Sequence, residues 1–451
     1  MKQENIVINN GVEELGIAPI GPLLWKYILP AIAGLLTHAL YNVVDKVFIG
    51  RFQGELGLSA LTIVSPVMMF FLAFALLIGG GGAALISIRL GEGKHREAAN
   101  ILGNAMTTGL FISVVIPVFG LFFAKETLVL FGANAEMLPY ALDYYRIILL
   151  GLPFATFGFA LYFIIRAEGN PKLAIFLMVV SSAVNVVLDP IFIVGLHMGV
   201  NGAAWATVIA EIVVFILGLN YYVTGRSALK LKLSDFIPLP RLGLQIFLMG
   251  LPVCITDVMM SLQNILLNLQ LAKHGGTVAV ASMGIIYALY TIVEMPIFAV
   301  ADSLQPIIGY NYGAKNFERV RQTVRLVAFA ILGISISFIV PIILKPGLFI
   351  AIFTSDEDVL RMTTKGLQIF MLGLPFFGLY FSGTRYFQSI DKAFWATLVS
   401  FCKPIAFFIP ILYLAGWAWG VDGIWITEPL SLFLVFLVVF ILYCKENKRL
   451  R

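Results

Sequence analysis

The feature that most constrains this chain is a succession of apolar segments, each long enough to cross the hydrocarbon core of a bilayer as a helix of about 20 residues. Only 12% of its 451 residues are charged, whereas roughly 25% is typical of a soluble domain. The sequence therefore predicts an all-α membrane protein with twelve transmembrane helices. These predicted spans lie near residues 23–48, 58–87, 99–122, 141–164, 173–196, 202–223, 243–272, 277–309, 324–344, 366–386, 393–416 and 423–444.

A polar stretch from Thr224 to Arg241 divides the predicted spans into two sets of six. Lys and Arg are concentrated in the tail and in the loops on the side of the N-terminus. By the positive-inside rule, we expect both termini to face the cytoplasm. The predicted organisation is a cytoplasmic N-terminal segment (1–22), an N-lobe (23–223), a cytoplasmic inter-lobe linker (224–242), a C-lobe (243–444) and a cytoplasmic tail (445–451).

The two sets of spans are an internal repeat. A shift of 222 residues places Leu29-Pro30 on Leu251-Pro252 and Gly151-Leu-Pro-Phe154 on Gly373-Leu-Pro-Phe376; near the end, a shift of 221 places Gly199 on Gly420. Since each half holds an even number of helices, we expect two pseudo-symmetric six-helix lobes with the same orientation in the membrane. Transporters with such repeats expose a substrate alternately to the two sides by rocking one lobe against the other.

Ionisable side chains inside the predicted spans of the N-terminal half mark a candidate functional site, because a buried charge in a membrane is costly. Asn185 and Asp189 lie four residues apart, on one helix face, and Pro190 should break the helix beside them. Asp45 shares a helix face with His38 and Tyr41. Both Asp45 and Thr207 should lie at a depth in the membrane similar to that of Asp189. An alternative is that Asp189, capped by Asn185, only holds two helices together. The repeat does not reproduce the acids, because Asp45 maps onto Leu267 and Asp189 onto Ile409.

The C-terminal half carries a different set of charged residues, which are Asp257, Glu294, Asp302, Lys403 and Glu428. Lys403 should pair with Glu294 or Asp257, since an unpaired buried charge is strongly destabilising. Whether these groups contact a substrate or only neutralise one another is left open by the sequence.

Several function classes lack support in the sequence. There is no Ser-His-Asp, His-Glu-x-x-His or Walker pattern, so we expect neither an enzyme nor an ATP-driven pump, and no cofactor. Cys254, Cys402 and Cys444 all lie in apolar segments and indicate neither a disulfide framework nor a metal cluster. The glycine run 79–82 favours close helix packing or a hinge over ligand binding. We expect a monomer in a lipid bilayer, with a small-molecule substrate and no nucleic-acid partner.

Five short motifs occur along nearly the whole chain. They are Tyr41-x3-Asp45-x4-Gly50, Leu90-Gly-Glu-Gly93, Arg166-Ala-Glu-Gly-Asn-Pro171, Asn185-x3-Asp189-Pro190 and Tyr310-Asn-Tyr-Gly-Ala314. Together these motifs resemble the multidrug and toxic compound extrusion (MATE) family. Glu294, followed by Asp302 and Gln305-Pro306, is similar to the branch of bacterial exporters typified by staphylococcal multidrug pumps.

This resemblance implies an antiporter of the bacterial plasma membrane that exports amphipathic, cationic drugs in exchange for H⁺ or Na⁺. Lys403 and Asp257 depart from the family's pattern and bear on the charge of the substrate. A lipid-linked oligosaccharide flippase of the same superfamily and a non-transporting structural or receptor protein are the alternatives. The family's cation site, including any bound Na⁺, falls on Asp45, Asn185, Asp189 and Thr207, with Tyr41 beside it, and Glu294 matches a C-lobe acid associated with substrate or coupling. The candidate substrate site or charge network of the C-lobe in this chain is Asp257, Glu294, Asp302 and Lys403.

Overall fold

The structure, a computed structural model, describes residues 10–449. Side chains are described for these residues except 10, 38–43, 46, 54–56, 58, 59 and 66. The described residues form helices joined by turns and irregular loops, and none of them lies in a β-strand. The helices are α1 (Asn10–Ile17), α2 (Ile20–Gly91), α3 (His95–Phe122), α4 (Ala124–Leu130), α5 (Leu138–Ala167), α6 (Pro171–Asp189), α7 (Val200–Val223), α8 (Pro240–Gly313), α9 (Phe317–Leu344), α10 (Pro346–Ile350), α11 (Glu357–Met371), α12 (Leu374–Ser389), α13 (Ala393–Phe401), α14 (Ile409–Trp419) and α15 (Val421–Arg449).

The described helices account for all twelve predicted spans. Helix α2 holds the first two, with span-like segments Ile20–Thr37 and Ala60–Gly91 at its ends. Helix α8 holds two more, because Gly276 has φ 61° and ψ −154°, which interrupts the helical path. The tenth predicted span, 366–386, consists of α11 and α12, which meet at an angle of 41°. Pro375 in the first turn of α12 removes one backbone donor at that bend.

The internal repeat is visible in the backbone. Gly93 and Lys315, which are 222 residues apart, have φ of 73° and 59°, and Gly169 and Asp391 have φ of 86° and 59°. The amide of Gly93 donates to the carbonyl of Leu90 at 3.1 Å, and that of Lys315 to Tyr312 at 3.0 Å. These loops therefore share their turn geometry, although a side chain replaces glycine in the second half.

The described chain separates into two compact units. One contains Leu29–Gly250 and the described residues before Pro19; the other contains Pro19–Ile28 and the described residues from Leu251 onward. In the first unit, a Cβ atom on Gly81 would lie 2.2 Å from the carbonyl oxygen of Ile246, so α2 and the start of α8 meet backbone to backbone. Gly81 of the glycine run 79–82 thus allows close helix packing, which is the role that the sequence favoured.

The segment between α7 and α8 is packed against α3. A short 3-10 helix, Leu233–Phe236, places the buried Asp235 beside Arg96, whose Nη1 donates to Oδ2 at 2.8 Å. Asn104 on α3 donates to the carbonyl of Asp235 at 3.1 Å and accepts from the amide of Leu239 at 2.8 Å. The predicted inter-lobe linker is therefore held in place by side chains of α3.

The turn between α5 and α6 encloses a buried acid. Glu168 is fully buried and accepts hydrogen bonds from Tyr222 (2.7 Å), Ser227 (2.6 Å) and Tyr221 (3.3 Å). Helix α1 packs on this turn, since a Cβ atom on Gly169 would lie 2.2 Å from the carbonyl oxygen of Gly11. This part of the predicted N-terminal segment is thus ordered against the α5–α6 turn.

Candidate functional site

The N-terminal half brings four predicted site residues together. Asp189 ends α6, and the chain continues from Pro190 to Gly195 as a π-helix, so the predicted break is a change of helical type. One turn earlier, Asn185 donates from Nδ2 to Oγ1 of Thr207 on α7, at 3.2 Å. Asp45 of α2 is buried and close enough for its carboxylate to repel that of Asp189.

The buried polar atoms of this cluster are mainly hydrogen-bond acceptors. Asp189 is fully buried, and neither of its carboxylate oxygens has a hydrogen-bond donor among the described residues. The amide oxygen of Asn185, which is also buried, has no donor either. Buried oxygens of this kind are costly unless a proton or a cation neutralises them. The cluster therefore suits a proton or a hard cation such as Na⁺, for which oxygen ligands are appropriate.

Tyr41, the fifth residue predicted for this site, has a side chain outside the described residues. Its role stays a prediction, as do the roles of the other four. Within the described part of the chain, no group of three or more His, Cys, Asp or Glu residues could hold a metal ion. Cys254, Cys402 and Cys444 are free thiols, all half-buried.

In the C-terminal half, a cavity of about 110 Å³ contains the charged residues Glu294, Lys403 and Glu428. The walls combine amides and hydroxyls with aromatic faces, since Gln263, Asn264, Tyr287, Tyr290, Thr291, Phe370, Phe377 and Phe408 also line it. The Oε1 atom of Glu294, the Nε2 atom of Gln263 and the hydroxyl of Tyr290 are buried without hydrogen-bond partners among the described residues. The cavity therefore offers both acceptors and donors to a small polar molecule.

The predicted pairing of Lys403 with Glu294 or Asp257 is wrong. The ammonium group of Lys403 donates to Oε1 of Glu428 at 2.8 Å and to Oε1 of Gln263 at 3.2 Å. Glu294 lines the same cavity and is attracted by the lysine, but it makes no hydrogen bond with it. Lys403 is the second residue of a π-helical segment, Cys402–Phe408, and its side chain extends to Glu428 on α15.

Asp302 and Asp257 belong to a second charged group, centred on Arg385. The Nε atom of Arg385 lies 2.7 Å from Oδ1 of Asp302, an ion pair whose angles are too poor for a hydrogen bond between these two atoms. Asp257 is close enough to interact with both charges. Arg385 is buried and also lies over the ring of Phe381, 4.9 Å from its centroid. The predicted charge network is thus divided into two groups.

Sequence reasoning did not single out Arg385, nor the pairing role of Glu428. Arg385 falls at the end of the predicted tenth span, where an arginine is ordinarily read as a loop residue facing water. The sequence did contain one signal for Arg385. Asp302, an acid inside another predicted span, needs a positively charged partner. Glu211 on α7, an acid inside a predicted span, was also missed.

Comparison with known proteins identifies the family. The model of the MatE family matches residues 30–191 and again 252–414, which together exceed half of the chain. This chain belongs to the MatE family. The two matches begin 222 residues apart, in agreement with the internal repeat. As a member of this family the protein is a transporter and not an enzyme.

Curated relatives of this MatE protein share about a quarter of its residues. It is 27% identical over 426 residues to the multidrug export protein MepA of Staphylococcus haemolyticus, covering 94% of each chain. It is 26% identical over 429 residues to MepA of Staphylococcus aureus (strain MSSA476), again with 94% of each chain covered. The predicted likeness to staphylococcal exporters is therefore confirmed.

Solved structures of MATE transporters have the same fold. A MATE protein in a bent conformation superposes with a TM-score of 0.92, at 24% identity and 98% coverage of both chains. A MOP superfamily transporter from Pyrococcus furiosus, described as having a binding pocket of reverse polarity, superposes with a TM-score of 0.90 at 23% identity and 98% coverage of both chains. These likenesses confirm the all-α fold of the MatE protein described here.

Proposed function

We propose that this MatE protein is a secondary antiporter of the bacterial plasma membrane that exports amphipathic, cationic compounds in exchange for protons. The observation that carries the proposal is the acceptor cluster of the N-terminal half, where Asp189 and Asn185 present three buried oxygens that have no donor among the described side chains. A proton gradient acts on such a site directly, because protonation of Asp189 removes a buried charge. The names of the relatives, multidrug export proteins, support export as the direction of transport.

The C-terminal cavity supports a cationic substrate. Its wall holds two acids, Glu294 and Glu428, and one base, Lys403. Five aromatic rings also line it, those of Tyr287, Tyr290, Phe370, Phe377 and Phe408. An organic cation is attracted both by a carboxylate and by the faces of aromatic rings. Glu294, whose Oε1 atom has no donor among the described residues, is the acceptor we assign to the positive group of the substrate.

A flippase for lipid-linked oligosaccharides is the second candidate function. It would carry an anionic diphosphate and would need a cationic binding surface. Lys403 and Arg385 are the observation in its favour, since both are buried cations of the C-terminal half. However, each is paired with an acid, and two further acidic side chains, Asp257 and Glu294, lie in the same half. The charge balance therefore favours drug export.

The test uses the full-length protein in proteoliposomes, with ethidium as the transported probe and an imposed pH gradient in sodium-free buffer. We expect the wild type to transport ethidium against its gradient and Asp189→Asn to lower this rate by about a hundredfold or more, since a group essential to proton transfer is removed. The control is Asp143→Asn, which changes an exposed aspartate at the start of α5 and should leave transport unchanged.

Transport by Asp189→Asn at the wild-type rate would overturn the proposed coupling site. The same assay identifies the ion, because Na⁺ needs about five or six oxygen ligands whereas a proton needs one carboxylate. Thr207→Val should therefore retain most of the proton-driven transport. Transport that requires sodium and is lost in Thr207→Val would replace the proton by Na⁺ in this proposal.

A further inference from the structure

A second, smaller cavity lies in the N-terminal half, between α5, α6 and α7. Its volume is about 30 Å³, which is room for roughly two water molecules at 10–15 Å³ each in this measure. Tyr162, Ser181, Ser182 and Glu211 contribute polar atoms to its wall. Such a mixture of hydroxyls and one carboxylate can hold water in place, because each molecule finds several polar partners.

Glu211 is the charged residue of this cavity, and space is left for its carboxylate. On the neighbouring helix α5, a Cβ atom on Gly158 would lie 3.3 Å from Oε2 of Glu211, within tight contact. The glycine therefore allows the carboxylate to lie directly against α5. Glu211 is half-buried and lies within the membrane-spanning helix α7. A carboxylate within a membrane span is costly and is a functional candidate for that reason.

Polar groups connect this cavity with the acceptor cluster at intervals of one helical turn. On α7, Glu211 follows Thr207 by four residues; on α6, Asn185 follows Ser181 by four and precedes Asp189 by four. The two helices are joined at this level by the hydrogen bond between Asn185 and Thr207. Residues one turn apart have Cβ atoms about 5–6 Å from each other, a distance that one bridging water can span.

On the other side of the cavity, polar groups continue toward the end of α5. The hydroxyl of Tyr162, in the cavity wall, accepts a hydrogen bond from Nη1 of Arg166 at 3.3 Å. Arg166 is one turn further along α5 and belongs to the α5–α6 turn region, which faces the cytoplasm in the predicted orientation. The cavity wall thus receives Tyr162 from α5, two serines from α6 and Glu211 from α7, and Arg166 continues the polar groups beyond the cavity.

We propose that Glu211 is the proton relay between Asp189 and the cytoplasmic side, so that protons leave the coupling site through this cavity. The inference rests on the proton coupling proposed above. Protonated Asp189 gives its proton to a water molecule at Thr207, which passes one of its own protons to the carboxylate of Glu211. Glu211 then protonates a cavity water, and the proton leaves past Tyr162. Only O–H bonds form and break, and one proton crosses.

The experiment compares two transport modes of the full-length protein in proteoliposomes. Ethidium transport driven by a pH gradient requires proton release in every cycle, whereas ethidium counterflow without a gradient does not require net proton movement. In Glu211→Gln we expect driven transport to fall by about tenfold or more, because a positioned proton-transfer group is lost. Counterflow and ethidium affinity should stay within about twofold, since the substrate does not contact Glu211.

A shorter acid and a hydroxyl deletion make the test independent of one variant's folding. Glu211→Asp should retain part of the driven transport, and Tyr162→Phe should slow it several-fold while counterflow persists. The matched control is Glu136→Gln, which neutralises an exposed glutamate outside the spans.

Two results would overturn the relay. One is driven transport at the wild-type rate in Glu211→Gln; the other is equal loss of driven transport and counterflow in a variant of normal thermal stability. Failure of the wild type itself to transport ethidium under a pH gradient would instead reject the proposed function, and the two failures are therefore distinguishable.

Discussion

Lys403 illustrates how a single charge is accommodated in the C-terminal half. Its ammonium group has two acceptors, Glu428 and Gln263, and both lysine and glutamate are nearly excluded from solvent. Removing one partner of a buried pair leaves the other charged and unpaired, which costs about 3–5 kcal/mol, whereas replacing both can be neutral or even stabilising. The presence of this pair is therefore better explained by a requirement for these charges in the cavity than by a gain in stability.

The first prediction follows from this asymmetry. Lys403→Met and Glu428→Gln should each lower the thermal stability of the protein in detergent, and the double variant should be more stable than the sum of the two losses implies. Differential scanning fluorimetry of the purified variants measures the three values. A parallel cycle with Lys403→Met and Asp257→Asn is the control and should show weaker coupling, since Asp257 belongs to the group around Arg385. Additive losses in the Lys403–Glu428 cycle would contradict the pairing.

The turn between α5 and α6 combines two helix ends with a buried acid. Asn170 caps α6 by accepting from the amide of Leu173 at 3.2 Å, and Gly169 supplies the positive φ of the turn. Burial raises the pKa of Glu168 to about 7, although the hydrogen bonds from Ser227, Tyr222 and Tyr221 favour the charged form. Folding therefore favours a protonated Glu168 over the ionised one.

The pH dependence of stability follows with a definite sign. Because the pKa rises from 4.5 in the unfolded chain to about 7 in the folded protein, the contribution of Glu168 is greatest below about pH 4.5. It is lost as the pH rises toward 7, by about 3 kcal/mol in all. In Glu168→Gln the decrease in melting temperature between pH 5 and pH 8 should be smaller than in the wild type. Glu136→Gln, at an exposed position, should keep the wild-type dependence. An unchanged dependence in Glu168→Gln would contradict this account.

Over the whole chain, the positive charges of the loops predict which side of the membrane each loop occupies. A cysteine at the exposed position Arg226, in the segment before α8, should react with an impermeant maleimide only after the cells are permeabilised. A cysteine at the exposed position Glu136, between α4 and α5, should react in intact cells. Both are placed in a variant whose three native cysteines are serine, and that variant is the unlabelled control. The reverse labelling pattern would contradict the predicted orientation.

Much of the fold was predictable because it depends on local patterns. Apolar length identified all twelve spans, and helical spacing placed Asn185 and Asp189 on one face of a helix that bonds to Thr207 through Asn185. The bend before α12 was not predictable from its residues, since the same Gly-Leu-Pro-Phe sequence lies within the continuous helix α5 at Gly151. The partner of Lys403 was missed because Glu428 lies on another helix, whose rotation about its axis the sequence does not specify.

The repulsion between Asp45 and Asp189 has a thermodynamic consequence for the proposed transport. Binding of one proton by this pair already relieves the repulsion between the two carboxylates. If one proton is exchanged for one monovalent organic cation, no net charge crosses the membrane, and the membrane potential does no work. The steepest concentration ratio that the transporter can sustain is then set by the pH difference alone, at about tenfold for each pH unit.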